Sequence, residues 1–250
     1  MQALERCLNI LNCIAMDSQN ATLDELTKKS GLNKATCYRL LQSMKDLDLV
    51  EQNENSKKYS LGKKLIGLGL TALSNLDLVK LTDPIMKKLK NETKENVNLA
   101  ILDNREIMFI KRIGSDFFMS VHHRVGSRFP IHCTSLGKAI LAHLPQSEAD
   151  EIIKNVELKR FTSNTHTSIN SLKKELQKIR EQRFAVSIEE MEKGLIAVAS
   201  PILNHERFPV AAIGLSYSTV RYDESEYATI FKEKLLNAAN EISTYLGFAY

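Results

Sequence analysis

Two short helices separated by a single glycine, written between residues 22 and 47, constrain this 250-residue chain more than any other feature. Thr22 and Glu25 form a T-x-x-E pair at the head of a helix over residues 23–30. The hydroxyl can accept an orphan amide and the carboxylate can reach back to the cap amide. Gly31 follows, at the position where a left-handed backbone costs glycine least. Asn33 is a strong N-cap, so a second helix is predicted from Lys34 to about Leu47, with Cys37, Leu40, Leu41, Met44 and Leu47 as its buried stripe. Upstream, Leu4, Leu8, Leu11 and Ile14, with Cys7 beside them, recur at helical spacing over residues 2–16. Downstream, residues 49–51 and 57–61 flank the polar tip 53–56 and read as a β-hairpin closed by Gly62.

A helix, a tight turn and a second helix with a polar outer face form the arrangement that lays its second helix in the major groove of DNA. The outward positions are Lys34, Ala35, Thr36, Tyr38, Arg39, Gln42 and Ser43. Arg39 and Gln42 can make bidentate contacts, and Thr36 can bond phosphate or base. Thr22 is counted with them, and Lys57 and Lys58 on the hairpin are placed to touch backbone phosphate or a minor groove. Residues 22–64 carry nine Lys/Arg against six Asp/Glu, and the whole chain a net charge of +4, which permits a nucleic-acid partner without requiring one.

Beyond the hairpin the pattern is helical from Lys63 to about Glu92, with a break expected before Pro84. The low charge between Leu65 and Leu76 predicts burial against another surface. After Thr93 the character changes. Residues 97–102, 107–113, 117–122, 184–188, 195–203 and 210–217 read as strands. Residues 135–144, 148–155, 168–182 and a long closing stretch, 223–246, read as helices. The fold class expected is α+β with an antiparallel sheet flanked by helices. Its division is 1–62 for the winged helix-turn-helix, 63–92 for a linker helix region and 93–250 for the second domain.

TLDELTKKSGLNKATCYRLLQSMKDLDLVEQ followed by KKYSLGKKLIGLG resembles the DNA-binding domain of the IclR family of bacterial transcriptional regulators. GSRFPIHCTSLGKAILAHL (126–144) is similar to that family's effector-domain signature. FAVSIEEMEKGLIAVASPI (184–202) with VAAIGLSYS (210–218) resembles its second signature. The resemblance implies a winged helix-turn-helix, a linker helix, a GAF-like effector-binding domain, and a homodimer or dimer of dimers on double-stranded operator DNA, most often as a repressor. Asn33 stands where the family often has Pro. Ser187, Ala197 and Gly214 stand where it often has an acidic residue, a Cys and a polar residue, while Ser216 is kept. These departures imply a roomier, less polar pocket and a bulkier ligand, an aromatic or sugar acid.

Read physically, residues 126–139 put glycines, Pro130 and two hydroxyls ahead of a helix, whose free amides suit an anion. Thr134, Ser135, Leu136 and Gly137 are the candidates, with Gly126 and Ser127 in the approach and Ser187, Ala197, Gly214 and Ser216 expected across from them; the ligand expected is a small organic acid. Thr134 and Ser135 could equally serve only as a cap. A C-terminal domain that oligomerises without a ligand is a second alternative. A thiol enzyme built on Cys133 and His132 is a third and weaker one, because adjacent strand residues point to opposite faces. No GxSxG, HExxH or phosphate-loop spacing occurs. The four cysteines lack disulfide or zinc spacing, so no cofactor or metal is expected. No apolar run approaches membrane-spanning length, and Glu5 and Arg6 interrupt any signal-like core; the expectation is a cytoplasmic protein with no membrane partner.

Overall fold

The computed structural model describes residues 2–16, 21–74, 77–116, 123–226 and 229–248. The chain divides into two compact units, Met1–Leu76 and Asp77–Tyr250.

The first unit opens with α1 (Gln2–Ala15), α2 (Leu23–Ser30) and α3 (Lys34–Asp46). An antiparallel hairpin, β1 (Val50–Gln52) and β2 (Tyr59–Leu61), follows, then α4 (Lys63–Ser74). Ala21 adds a bridge to Tyr59, which ties the start of α2 to the hairpin. The core is Ile10, Ile14, Leu26, Cys37, Leu41, Met44, Val50 and Tyr59. The stripe on α1 is therefore Cys7, Ile10, Leu11 and Ile14; Ile10 was not anticipated, and of the expected members only Leu4 and Leu8 fall outside it. Those two are 69% and 53% exposed, since Leu8 lies on the flank of the stripe and Leu4 a turn before it. Leu47 is also exposed, because α3 ends at Asp46 and the chain turns through a left-handed Asp48. Ile66 and Leu68 of α4, expected to be buried, are exposed within this chain.

The second unit runs α5 (Asp77–Thr93), β3 (Asn96–Asp103), β4 (Glu106–Ile113), β5 (Arg128–Pro130), α6 (Ser135–His143), α7 (Gln146–Asn155), α8 (Ile169–Gln182), β6 (Ala185–Ile188), β7 (Leu195–Leu203), β8 (Pro209–Ser218) and α9 (Lys232–Tyr245). The strands form one antiparallel sheet in the order β5-β4-β3-β8-β7-β6. Strand alternation gives the sheet two apolar faces. Ala100, Phe109, Ala199 and Ala212 pack under α6, with α8 behind it. Val97, Leu99, Ile213 and Leu215 are buried on the other face, where α5 and α9 pack.

The α+β reading holds, with three local corrections. The break expected before Pro84 does not occur there: Pro84 sits inside α5. Proline costs a helix interior about 3 kcal/mol, and here burial of Ile85, Met86 and Leu89 offsets it. The closing helix starts only at Lys232; ahead of it Thr219–Arg221 and Glu224–Glu226 are short 3-10 turns. β5 carries only three residues, one of them a proline, too short a pattern to read in advance. The strand expected at 117–122 lies outside the described residues.

Candidate nucleic-acid interface and ligand cavity

Local hydrogen bonding sets the helix pair of the first unit. The capping box is complete: the Glu25 amide donates to Thr22 Oγ1 (3.4 Å) and the Thr22 amide to Glu25 Oε2 (2.7 Å). The Thr22 hydroxyl also donates to Glu25 (2.9 Å), so this side chain is engaged as a cap. Gly31 takes φ 68°, and Asn33 Oδ1 accepts from the Thr36 amide (2.8 Å). With Cys37, Leu41 and Met44 inward, Lys34, Ala35, Tyr38, Arg39 and Ser43 are exposed and Thr36 is half-buried. Lys34 pairs with Asp24 at 2.6 Å, an exposed contact of little energetic weight. The Ser43 hydroxyl donates to Arg39 O (3.1 Å).

Gln42 is half-buried, so it is not a fully outward position of α3. At the hairpin tip Asn53 Oδ1 accepts from the Asn55 and Ser56 amides. Lys57 then turns with φ 56° and projects into solvent, while Lys58 is half-buried. The arrangement is a recognition helix and a basic wing on one small core.

In the second unit, strand register builds the other site. Ser187 pairs with Ala197 and Ala197 with Ser216, so the three residues form one row across β6, β7 and β8. The N-terminus of α6 is set opposite this row. The Thr134 hydroxyl donates to Pro130 O (2.8 Å) and accepts from the Gly137 amide (3.2 Å). The Lys138 amide bonds Thr134 O, which leaves the amides of Ser135 and Leu136 as the orphan donors of this helix. Between row and helix lies a cavity of about 40 Å3, lined by Thr134, Ser135, Leu136, Ser187, Ala197 and Ser216. Phe109, His123 and Phe129 close one side, with the His123 ring edge to face against both phenylalanines.

Four expected site residues do not line it. Gly126 (φ 87°) and Ser127 shape the turn into β5. Gly137 lets α6 approach the backbone of Ile131, and Gly214 admits Leu136, whose Cδ2 is 3.1 Å from where a Cβ would stand. The expected roominess at Gly214 is thus taken up by a side chain of α6, and the cavity is narrow. Asn98, Met191 and Leu195 line the cavity without having been anticipated. For Asn98 the available signal was a polar residue inside an otherwise apolar strand.

Beneath the cavity Lys138 is 0% exposed. Its ammonium donates to Glu190, to Val186 O (2.6 Å) and lies 3.8 Å from Glu175. Burial lifts the Glu190 carboxyl to about 7 although Lys138 draws it down. Burial pushes the Cys133 thiol up to about 12, so at neutral pH it is no nucleophile. The His132 ring bonds Lys159 O (3.1 Å), and burial lowers its basicity.

A helix-turn-helix head on a separate domain with an internal cavity defines a DNA-binding regulator that takes a small ligand. Family models agree on both halves: the IclR helix-turn-helix domain matches residues 3–54, and the bacterial transcriptional regulator IclR C-terminal domain matches residues 70–244. The chain belongs to the IclR family of transcriptional regulators. It is 37% identical over 226 residues to the HTH-type transcriptional regulator KdgR of Escherichia coli (strain K12), covering 90% of this chain and 86% of the relative. It is 29% identical over 249 residues to the transcriptional repressor IclR of the same organism, covering 99% and 90%. The crystal structure of the Thermotoga maritima IclR superposes with a TM-score of 0.77 at 29% identity, covering 99% of this chain and all of that one. Among the described residues no helix is long and apolar enough to cross a membrane.

Proposed function

We propose that this chain is a sequence-specific repressor, acting in the cytoplasm on operator DNA as a homodimer or dimer of dimers, and released or engaged by a small organic acid. The observation that carries the DNA half is the outer face of α3, with Lys34, Tyr38 and Arg39 exposed and Thr36 half-buried, in the same compact unit as the exposed Lys57 of the hairpin. A flat guanidinium and hydroxyls read base edges, and the wing lysines meet phosphate. The likeness to a relative named as a repressor supports the sign. Exposed Leu4 and Leu8 on α1, and Ile66 and Leu68 on α4, supply apolar surface for the two-fold partner that palindromic half-sites require. The ligand half rests on the orphan amides of Ser135 and Leu136, which offer an anion the positive end of α6. Residues 63–92 connect the two units in the chain, and a ligand acts through them only by its differential affinity for two arrangements of the reading heads.

Footprinting on the chromosomal region upstream of its own gene is expected to show protection. Arg39→Ala should weaken binding about tenfold or more, the scale of one bidentate base contact. Lys57→Ala should reduce the slope of log affinity against log salt by about one, as expected for a phosphate contact. Both variants binding like the parent chain would remove the recognition-helix assignment. A monomer by light scattering in the presence of operator would remove the dimer.

A further inference from the structure

The last residue of α6, His143, lines a second hollow of the same unit, apart from the cavity at the start of that helix. Its volume is about 680 Å3, within the range of about 300–1,000 Å3 usual for small-molecule sites. Two elements bring arginines to it: Arg180 and Arg183 from the end of α8, and Arg207 from the turn between β7 and β8. Arg180 donates from Nε to Ala142 O (2.6 Å) and from Nη2 to Leu144 O (3.1 Å), closing the end of α6. Its guanidinium is thus fixed by neutral oxygens and keeps its charge uncompensated. Among the described residues no carboxylate pairs with Arg180 or with Arg207. Arg183 donates to Asn240 Oδ1 (2.9 Å) and lies 4.9 Å over the Phe248 ring.

The turn that carries Arg207 is itself built. Asn204 Oδ1 accepts from the amides of Glu206 (3.0 Å) and Phe208 (2.9 Å), which sets Arg207 and Phe208 side by side at the hollow. The lining holds three guanidinium charges against the one carboxylate of Glu206, a balance of +2. His143 adds nothing to it: burial, with Arg183 and Arg180 acting in the same direction, brings its imidazole down to about 4. Beside these charges the Phe208 ring is 37% exposed. A guanidinium held in place matches the oxygens of a phosphate through its planar fork, with little further ordering to lose on binding. An exposed aromatic ring accepts a planar ring by stacking. A carboxylate would answer only half of the charge balance, whereas a phosphomonoester carries about two negative charges at neutral pH.

We propose that this hollow is a second ligand site, separate from the cavity under α6, and that it takes a phosphomonoester joined to a planar ring, of the nucleoside monophosphate class. The phosphate sits among Arg180, Arg183 and Arg207, and the base lies against Phe208. The site does not depend on what the other cavity binds, since the two share no lining residue.

The test is titration calorimetry on the full chain at low ionic strength, with the 5′-monophosphates of adenosine, guanosine, cytidine and uridine against the free nucleosides and inorganic phosphate. At least one monophosphate is expected to bind about tenfold or more tightly than both its nucleoside and inorganic phosphate. Arg207→Asn should weaken that binding about tenfold. It should do so without straining the turn, because asparagine tolerates the left-handed backbone found there (φ 63°). Phe208→Leu should weaken the monophosphate about fivefold and leave inorganic phosphate unchanged. Arg39→Ala, on the recognition helix, should alter neither, which separates this site from the DNA-reading face. Monophosphates that bind no more tightly than inorganic phosphate overturn the proposal, whatever the variants do. Binding that survives both Arg207→Asn and Phe208→Leu, in chains that melt cooperatively, overturns it as well. Binding lost in Arg39→Ala places the nucleotide on the first unit and overturns it too.

Discussion

Lys138→Met is expected to destabilise the second unit by about 3–5 kcal/mol at pH 8, the range for leaving one partner of a buried ion pair uncompensated. Lys138 is fully buried, and Glu190 Oε2 already lacks a partner, so no other cation stands ready to replace the ammonium. The loss should shrink at pH 5. A carboxyl whose folded value of about 7 lies above its ordinary 4.5 binds its proton more tightly in the native state. Native stability therefore falls as pH rises between those values. Without the ammonium the folded value climbs further, and the fall extends to higher pH. The variant's deficit thus opens through neutrality and narrows in acid, where Glu190 is protonated in both proteins. Thermal melts of the two proteins from pH 5 to 8 check this, and a deficit independent of pH would mean that Glu190 is not the group left exposed. Adding Glu190→Gln to Lys138→Met should recover most of the stability at pH 8, because the double variant buries no unpaired charge.

Gly137→Ala should be the second large effect, and it should strike ligand binding as well as stability. A Cβ there would stand 2.4 Å from Ile131 O and 2.7 Å from Ile131 Cα, both backbone atoms that can yield only if α6 moves. The cost expected is about 1–3 kcal/mol, as for an overpacked core. Because α6 supplies the two amides of the cavity, the same shift should abolish acid binding while leaving operator binding in the absence of ligand intact. Gly67→Ala on α4 is the control. Nothing lies within 4 Å of its Cβ position, and the change should stabilise that helix by about 0.5–1 kcal/mol. A Gly137→Ala chain that melts with the parent and binds acids equally well would show that α6 and the Ile131 backbone are not in close contact.

The first unit was legible almost to the residue because its determinants are local. A capping box and an N-cap asparagine each span four residues, and a C′ glycine is one, so each bond was written in the order of the chain. The residue pattern also marked strands of the second unit. Their register then turned residues 187, 197 and 216, far apart in sequence, into one row. Where the reading missed, the cause was distance in the chain. Periodicity marked Leu4 and Leu8 as apolar but could not say which flank of α1 another helix would cover. The glycine at 214 looked like space for a ligand and proved to be space for Leu136.

Sequence alone determined the helix-turn-helix with its hairpin, the antiparallel sheet and the capped start of α6, since each rests on hydrogen bonds or side-chain periods within a few residues. Tertiary structure alone decided that Lys138 is buried against Glu190, that Asn98 bonds Ser216 at the cavity, and that the cavity is narrow. Burial and pairing depend on which segments meet across 48 to 118 residues of chain, and no local pattern records that.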